Sequence, residues 1–382
     1  MQIKKYKILI LSDWYEPGFK AGGPIRSVAN FAQQMNEDYD IYILTGDRDL
    51  NDTAPYPGIE RDKWIAQGNV HVFYISPENL SWKNIKNCIA NQSPDFIYLN
   101  NMYSRYFTIY PLLLHWMKKT KARVVLAPRG MLQKGAMQYK HQKKILFLKT
   151  FRTLRILKNV RAHATDMQEQ QDIAKHFPGI KRIDIIPNFS APVSVYQFIE
   201  KKAGTLNMLF ISRVSPKKNL GYLLSLLSDI PSGLSITLTV RGGIEDADYW
   251  EACELLIKKL PPHITVNFNG IIQNNAVPAL IRQHHVFVLP TLGENFGHAI
   301  FEALSAGRPV LISDQTPWKN LAAQKAGWDL PLNDAATFIK VITDVANMED
   351  KEFQEWCKGA WQFAKSYQEN AKLKEKYIEL FS

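Results

Sequence analysis

The 382-residue chain has three cysteines, Cys88, Cys253 and Cys357, far apart and odd in number. A disulfide framework or a cysteine-based zinc site does not fit that usage, and a reducing cytoplasm does. No apolar run approaches the ~18–20 residues that a membrane span needs. The first apolar run stops at Leu11, Asp13 follows, and no small-residue cleavage site is present. It therefore reads as a buried first strand and not as a signal peptide. The GxGxxG dinucleotide spacing is absent, as are short repeats and low-complexity tracts. Acidic residues are missing throughout 96–165, where fifteen Lys and Arg fall.

The rest of the composition, 46% hydrophobic and 22% charged, is that of a soluble globular protein. At ~100–200 residues per domain the length predicts two domains. Lys and Arg number 47 against 36 Asp and Glu, a formal charge of +11. Such a field attracts nucleic acid, phosphorylated substrates or an anionic membrane, and composition does not choose among them.

Short apolar runs alternate with amphipathic ones. Strands are expected at 7–12, 41–44, 70–75, 96–99, 123–127, 161–166 and 182–188. Helices are expected at 24–36, 81–91, 103–118, 140–158 and 167–177. A polar, Pro-containing stretch at 190–207 reads as an interdomain linker. The alternation then restarts, with strands at 208–212, 235–240, 264–268, 286–290 and 309–313 and helices at 219–229, 247–260, 275–284 and 297–307. Strand–helix alternation predicts parallel sheets covered on both faces, with ligands at the carboxyl ends of strands.

Three loops after strands could carry chemistry. Gly22-Gly23-Pro24 lies where a loop enters a helix; it is either a tight turn or a place where free N–H groups hold a phosphate. Arg213, Lys217 and Lys218 lie at a strand-to-helix turn, where cations oppose the helix dipole. They form either a solvated basic turn or a grip on an anion. In 289–313, Glu294 precedes a helix and Glu302 lies inside it, opposite the stripe Ile300, Ala303, Leu304 and Gly307. Glu302 is either a solvated helix glutamate or an acceptor for the vicinal hydroxyls of a ribose. The amides of Asn295, Phe296 and Gly297 could hold a phosphate.

Together these loops resemble the retaining glycosyltransferases of the GT-B fold, family 4. The matching marks are Gly22-Gly23, Arg213 with Lys218 five residues later, and Glu294 and Glu302 around Phe296-Gly297. The resemblance implies an α/β architecture of two Rossmann-like, doubly wound domains facing a central cleft. Residues 1–195 would bind the acceptor and 205–364 the nucleotide sugar, with a C-terminal helix at about 365–382 returning to the first domain. Arg213 and Lys218 would bind the diphosphate, Glu294 with the amides near Phe296 the donor sugar and β-phosphate, and Glu302 the ribose. Arg129 stands in PRGML where many relatives have a histidine near the donor sugar, and could contact donor or acceptor in its place. His163 matches a position often histidine in relatives, and a purely structural role is the competing reading. His298 replaces a common apolar residue and could face the acceptor.

The expected reaction transfers a sugar from a UDP- or GDP-sugar to a hydroxyl of a glycan or lipid-linked acceptor in surface polysaccharide biosynthesis. No cofactor and no metal are expected, because Arg213 and Lys218 supply positive charge. The Asp-x-Asp pairs Asp47/Asp49 and Asp246/Asp248 are the one challenge to that: they are either solvated loop pairs or, as in metal-dependent transferases of the other common fold, a metal site on the nucleotide. The basic segment 140–161, with Ile145, Leu148, Phe151 and Leu154 at helical spacing, is either a buried helix with a solvated face or a peripheral dock on an anionic inner leaflet. A sugar-nucleotide epimerase or a phosphorylase is the nearer rival. A nucleic-acid-binding protein is the more distant one, since no compact recognition motif is present.

Overall fold

A computed structural model describes residues 5–133, 137, 141–369 and 372–382. The chain divides into two compact units, 1–189 with 371–382, and 190–370.

The first unit carries an eight-stranded sheet in the order β3-β4-β2-β1-β5-β6-β7-β8. The strands are β1 (Tyr6–Leu11), β2 (Tyr39–Gly46), β3 (Trp64–Gln67), β4 (Val70–Ile75), β5 (Phe96–Leu99), β6 (Arg123–Leu126), β7 (Arg161–Ala164) and β8 (Ile183–Ile185). All pairs are parallel except β3 with β4. Alternation along β1 sends Leu9 and Leu11 into one core layer and Ile8 and Ile10 into the other, as a sheet buried on both faces requires. Tyr377, Leu380 and Phe381, in and just after the helix Lys372–Leu380, complete the second layer.

The second unit has a six-stranded parallel sheet in the order β11-β10-β9-β12-β13-β14. Its strands are β9 (Thr205–Ile211), β10 (Ser235–Arg241), β11 (Ile264–Phe268), β12 (Val286–Leu289), β13 (Val310–Ser313) and β14 (Gly327–Leu330). Two of its helices, Ala247–Ile257 and Ala335–Asn347, start at capping aspartates. Asp246 accepts from Tyr249 N at 3.0 Å and Asp334 from Thr337 N at 3.1 Å.

Two expectations about this frame change. Residues 190–202 are not a free linker. Tyr196 and Ile199 pack on the core of the second unit, Arg308 Nη1 donates to Gln197 O at 3.1 Å, and Lys201 Nζ donates to Ala346 O at 2.8 Å. The expected terminal helix at about 365–382 is two helices. Asp350–Gln368 belongs to the second unit and Lys372–Leu380 to the first, with 370 and 371 outside the described residues.

Candidate active site

In the second unit the chain leaves β9 for β10 and β11 on one side, while β12 lies on the other. The gap between the ends of β9 and β12 is therefore a topological switch point, where open α/β sheets receive ligands. The loop after β9 makes a 3₁₀ turn, Pro216–Lys218, and passes through Asn219 at φ +61° into the helix Leu220–Ser228. The loop after β12 is joined to it by backbone: Leu292 N donates to Lys217 O at 2.8 Å, and Thr291 Oγ1 to the same oxygen at 3.1 Å. Lys218 Nζ forms an ion pair with Glu294 Oε1, and both side chains are mostly buried.

Glu294 is fixed from the other side, since its N–H donates to Gln315 O at 3.0 Å after β13. Next, Phe296 is buried beneath Trp318, whose indole N–H donates to Phe296 O at 2.6 Å. Gly297 then adopts φ +76°, where a Cβ would also meet Ile300 Cδ1 at 2.8 Å. Glycine is required for the chain to turn here into the helix His298–Ser305. Glu302 is half-buried on that helix, and the His298 ring lies against Phe296 with centroids 4.7 Å apart.

Arg213 stands somewhat apart. Its guanidinium pairs with Glu245, beyond the end of β10, and both side chains are exposed, so the pair itself contributes little stability. Lys217 lies within electrostatic reach of Arg213, Lys218, Glu245 and Glu294. Three cations thus share the switch point with two carboxylates, an excess suited to an anion. Glu245 was not legible as part of this group, because only the pairing of β9 with β10 brings residues 213 and 245 together.

In the first unit Gly22 has φ +65° and caps the helix Gly23–Met35, and beyond its chain neighbours no atom of the described residues lies within 4 Å of where a Cβ would project. Gly23 is exposed. The approach to this turn is held by Asp49, which accepts from Phe19 N at 2.6 Å and Lys20 N at 3.0 Å. Asp47 accepts from Arg48 Nε at 2.8 Å and pairs with Arg61 at 3.4 Å. These two aspartates are buried, a correction to their reading as solvated; among the described residues no cluster of three or more potential ligands could hold a metal ion.

Arg129 follows β6 at φ +57°. Its Nε and Nη2 donate to Asn100 Oδ1 at 3.1 and 2.6 Å, Nη2 also donates to Tyr98 OH at 2.7 Å, and Nη1 to Asn188 Oδ1. Glu169 fixes the next residue by accepting from Gly130 N at 2.6 Å. His163 is wholly buried, with Nδ1 2.7 Å from Tyr98 OH and Nε2 2.7 Å from Ile186 O. Burial, reinforced by the nearby Arg129, pushes its pKa down to about 3. Both ring nitrogens serve the core, the structural role that the sequence offered beside a sugar contact, and through them His163 supports Tyr98 and so Arg129.

Residues 196–361 match the family model described as Glycosyl transferases group 1. An uncharacterized glycosyltransferase of Methanocaldococcus jannaschii is 29% identical over 106 residues, 28% of this chain and 26% of that one. The O-antigen chain mannosyltransferase B of Escherichia coli is 30% identical over 112 residues, 28% of each chain. The chain thus spans little more than a quarter of the length of the curated relatives it matches. Among solved structures, Anabaena HepE in complex with UDP and glucose is similar at a TM-score of 0.67 and 14% identity, over 98% of both chains. Two Rossmann-like units with parallel sheets and this likeness give the chain the GT-B glycosyltransferase fold, and its second unit carries the match to glycosyl transferases group 1.

Proposed function

We propose that the chain is a retaining glycosyltransferase that moves a hexosyl group from a nucleoside diphosphate sugar to a hydroxyl of a glycan acceptor. The observation that carries this reading is the junction of the two marked loops of the second unit, where Lys218 meets Glu294 and Lys217 O accepts from Thr291 and Leu292. As the bond to the anomeric carbon breaks, negative charge grows on the leaving diphosphate. Fixed ammonium and guanidinium groups with aligned N–H dipoles stabilise that charge more in the transition state than in the ground state. Arg213 and Lys218 take this role. Glu294 and the amides of 295–297 hold the donor sugar and β-phosphate, and Glu302 accepts from the ribose hydroxyls.

The reaction is proposed to need no metal. In support, Asp47 is held by arginines, Asp49 by backbone amides, and Asp246 caps a helix. HepE binds UDP and UDP-glucose, which favours UDP as the donor nucleotide. The O-antigen relative supports an acceptor in surface polysaccharide biosynthesis. That this acceptor is lipid-linked and reached from an anionic membrane surface through the segment 140–161 is part of the proposal.

A thermal-shift screen against UDP, GDP, ADP, CMP and their sugars tests the donor. One nucleoside diphosphate raises Tm, and Arg213→Ala or Glu302→Ala abolishes the rise. Transfer from the selected sugar persists in excess EDTA, and NMR of the product shows the donor's anomeric configuration. Activity abolished by EDTA and restored by manganese would overturn the metal-free mechanism; free sugar epimer or sugar phosphate as product would replace transfer with the epimerase or phosphorylase reading.

A further inference from the structure

The loops after β9 and β10 are fastened to each other beyond the ends of their strands. Val214 N donates to Gly243 O at 2.8 Å and Glu245 N to Val214 O at 3.0 Å, so the parallel pairing continues as a bridge between Val214 and Ile244. Gly242 permits the approach, since a Cβ there would fall 1.9 Å from Ser212 O. Backbone alone thus sets Glu245 beside Arg213. Asp246, and not Glu245, caps the helix Ala247–Ile257, so the Glu245 carboxylate has no part in starting that helix.

The two ion pairs of this region differ in kind. The side chains of Lys218 and Glu294 are 15% and 12% exposed, and parting them would leave two poorly solvated charges. Those of Arg213 and Glu245 are 41% and 45% exposed, so water takes up both charges when that pair opens. Arg213 meets Glu245 through Nη1 and one carboxylate oxygen, a single contact that does not fix the plane of the guanidinium. A phosphate group offers the same guanidinium a stronger, two-pronged partner. Exchange of Glu245 for phosphate is therefore favourable, and Arg213 is the cation of this region able to change partner. Lys218, with three N–H donors, can keep Glu294 and meet a phosphate together. Charge balance adds to this. Lys217 lies within reach of both pairs, and three cations less two carboxylates leave one net positive charge for an anion that carries more than one negative charge.

We infer that Glu245 competes with the diphosphate for Arg213: carboxylate and phosphate take the guanidinium in turn, so Glu245 weakens the hold on the nucleotide and favours its release after transfer. The inference deepens the glycosyltransferase reading, on which it rests for its ligand, and takes its geometry from the second unit alone.

Calorimetric titration of UDP, GDP, ADP, CDP and inorganic pyrophosphate into wild type, Glu245→Gln and Glu251→Gln at one salt concentration tests it. Gln keeps the size of the side chain and drops its charge. Glu251, exposed on the helix that follows, reports what the loss of one negative charge does through the general field. Wild type binds at least one nucleoside diphosphate. Glu245→Gln binds it about 2–5-fold tighter, the worth of an exposed ion pair, with an unchanged near-UV spectrum, and Glu251→Gln binds it as wild type does. Equal or weaker affinity in Glu245→Gln would overturn the competition, weaker binding meaning that Glu245 orients Arg213; an equal gain in Glu251→Gln would overturn it too. Those results leave the glycosyltransferase reading standing. Tighter pyrophosphate binding confined to Glu245→Gln, in a chain that binds no nucleoside diphosphate, would keep the competition and refute that reading. Failure of wild type and Glu245→Gln to bind any of the five probes would overturn both.

Discussion

His163 sits between the hydroxyl of Tyr98 and the carbonyl of Ile186, fully buried and neutral. Its pKa of about 3 lies below the 6.5 of an ordinary imidazole, so the unfolded chain takes up a proton first as pH falls. The stability that its neutral ring contributes is complete above 6.5 and is lost progressively down to about 3, at about 1.4 kcal/mol per pH unit. Melting temperatures recorded from pH 8 to 4 should therefore fall less steeply below 6.5 in His163→Gln than in wild type, even if the variant starts lower. Equal slopes would mean that the ring does not titrate between the two states. At this scale the charged marks were easier to read than their geometry. Arg213, Lys218, Glu294 and Glu302 stand out because cations and lone carboxylates at strand–helix junctions lack a local reason. Glu245 does not, because only the pairing of β9 with β10 brings it beside Arg213.

The helix His141–Thr153 shows how far periodicity reaches at the scale of an element. Its spacing predicts a stripe of Ile145, Leu148, Phe151 and Leu154. Only Leu148 and Phe151 enter the core, while Ile145, Leu146 and Leu154 are exposed, with Leu146 67% accessible. Lys143, Lys149, Arg152 and Arg155 are exposed in the same segment, and Lys140, also assigned to it, lies outside the described residues. Exposed aliphatic and basic side chains together suit an anionic bilayer surface, where each cation contributes about 1 kcal/mol. The protein is expected to sediment with phosphatidylcholine vesicles that contain phosphatidylglycerol, and Gln at those four positions should release it. Equal binding to purely zwitterionic vesicles would remove the electrostatic basis. Most strands were legible as short apolar runs, but β3 and β14 were not. The half-exposed Trp-Ile-Ala-Gln of β3 lacks a buried run. In β14, Gly327 begins the strand where a Cβ would fall 2.1 Å from Val310 O, an approach that sequence does not reveal.

Across the whole molecule, two sheets each present loops at the carboxyl ends of their strands, and the chain's chemistry divides between them. The second unit gathers Arg213, Lys217 and Lys218 with Glu245 and Glu294. The first presents the Gly22 turn after β1 and Arg129 after β6. The formal charge of +11 adds long-range attraction for any anion, so affinities must be compared at fixed salt. The division into two folded regions was legible from the restart of the strand–helix alternation. The fate of residues 190–202 was not, because a polar stretch can be anchored by backbone acceptors as readily as it can be solvated. The claim on which everything else rests is that the loops after β9 and β12 hold a diphosphate. Calorimetric titration of the nucleoside diphosphate selected by the thermal-shift screen, beside its monophosphate, into wild type and Lys218→Ala tests it most directly. Wild type should prefer the diphosphate, and Lys218→Ala should lose about 10–100-fold in diphosphate affinity with little change for the monophosphate. Equal diphosphate affinity in the two proteins would contradict it.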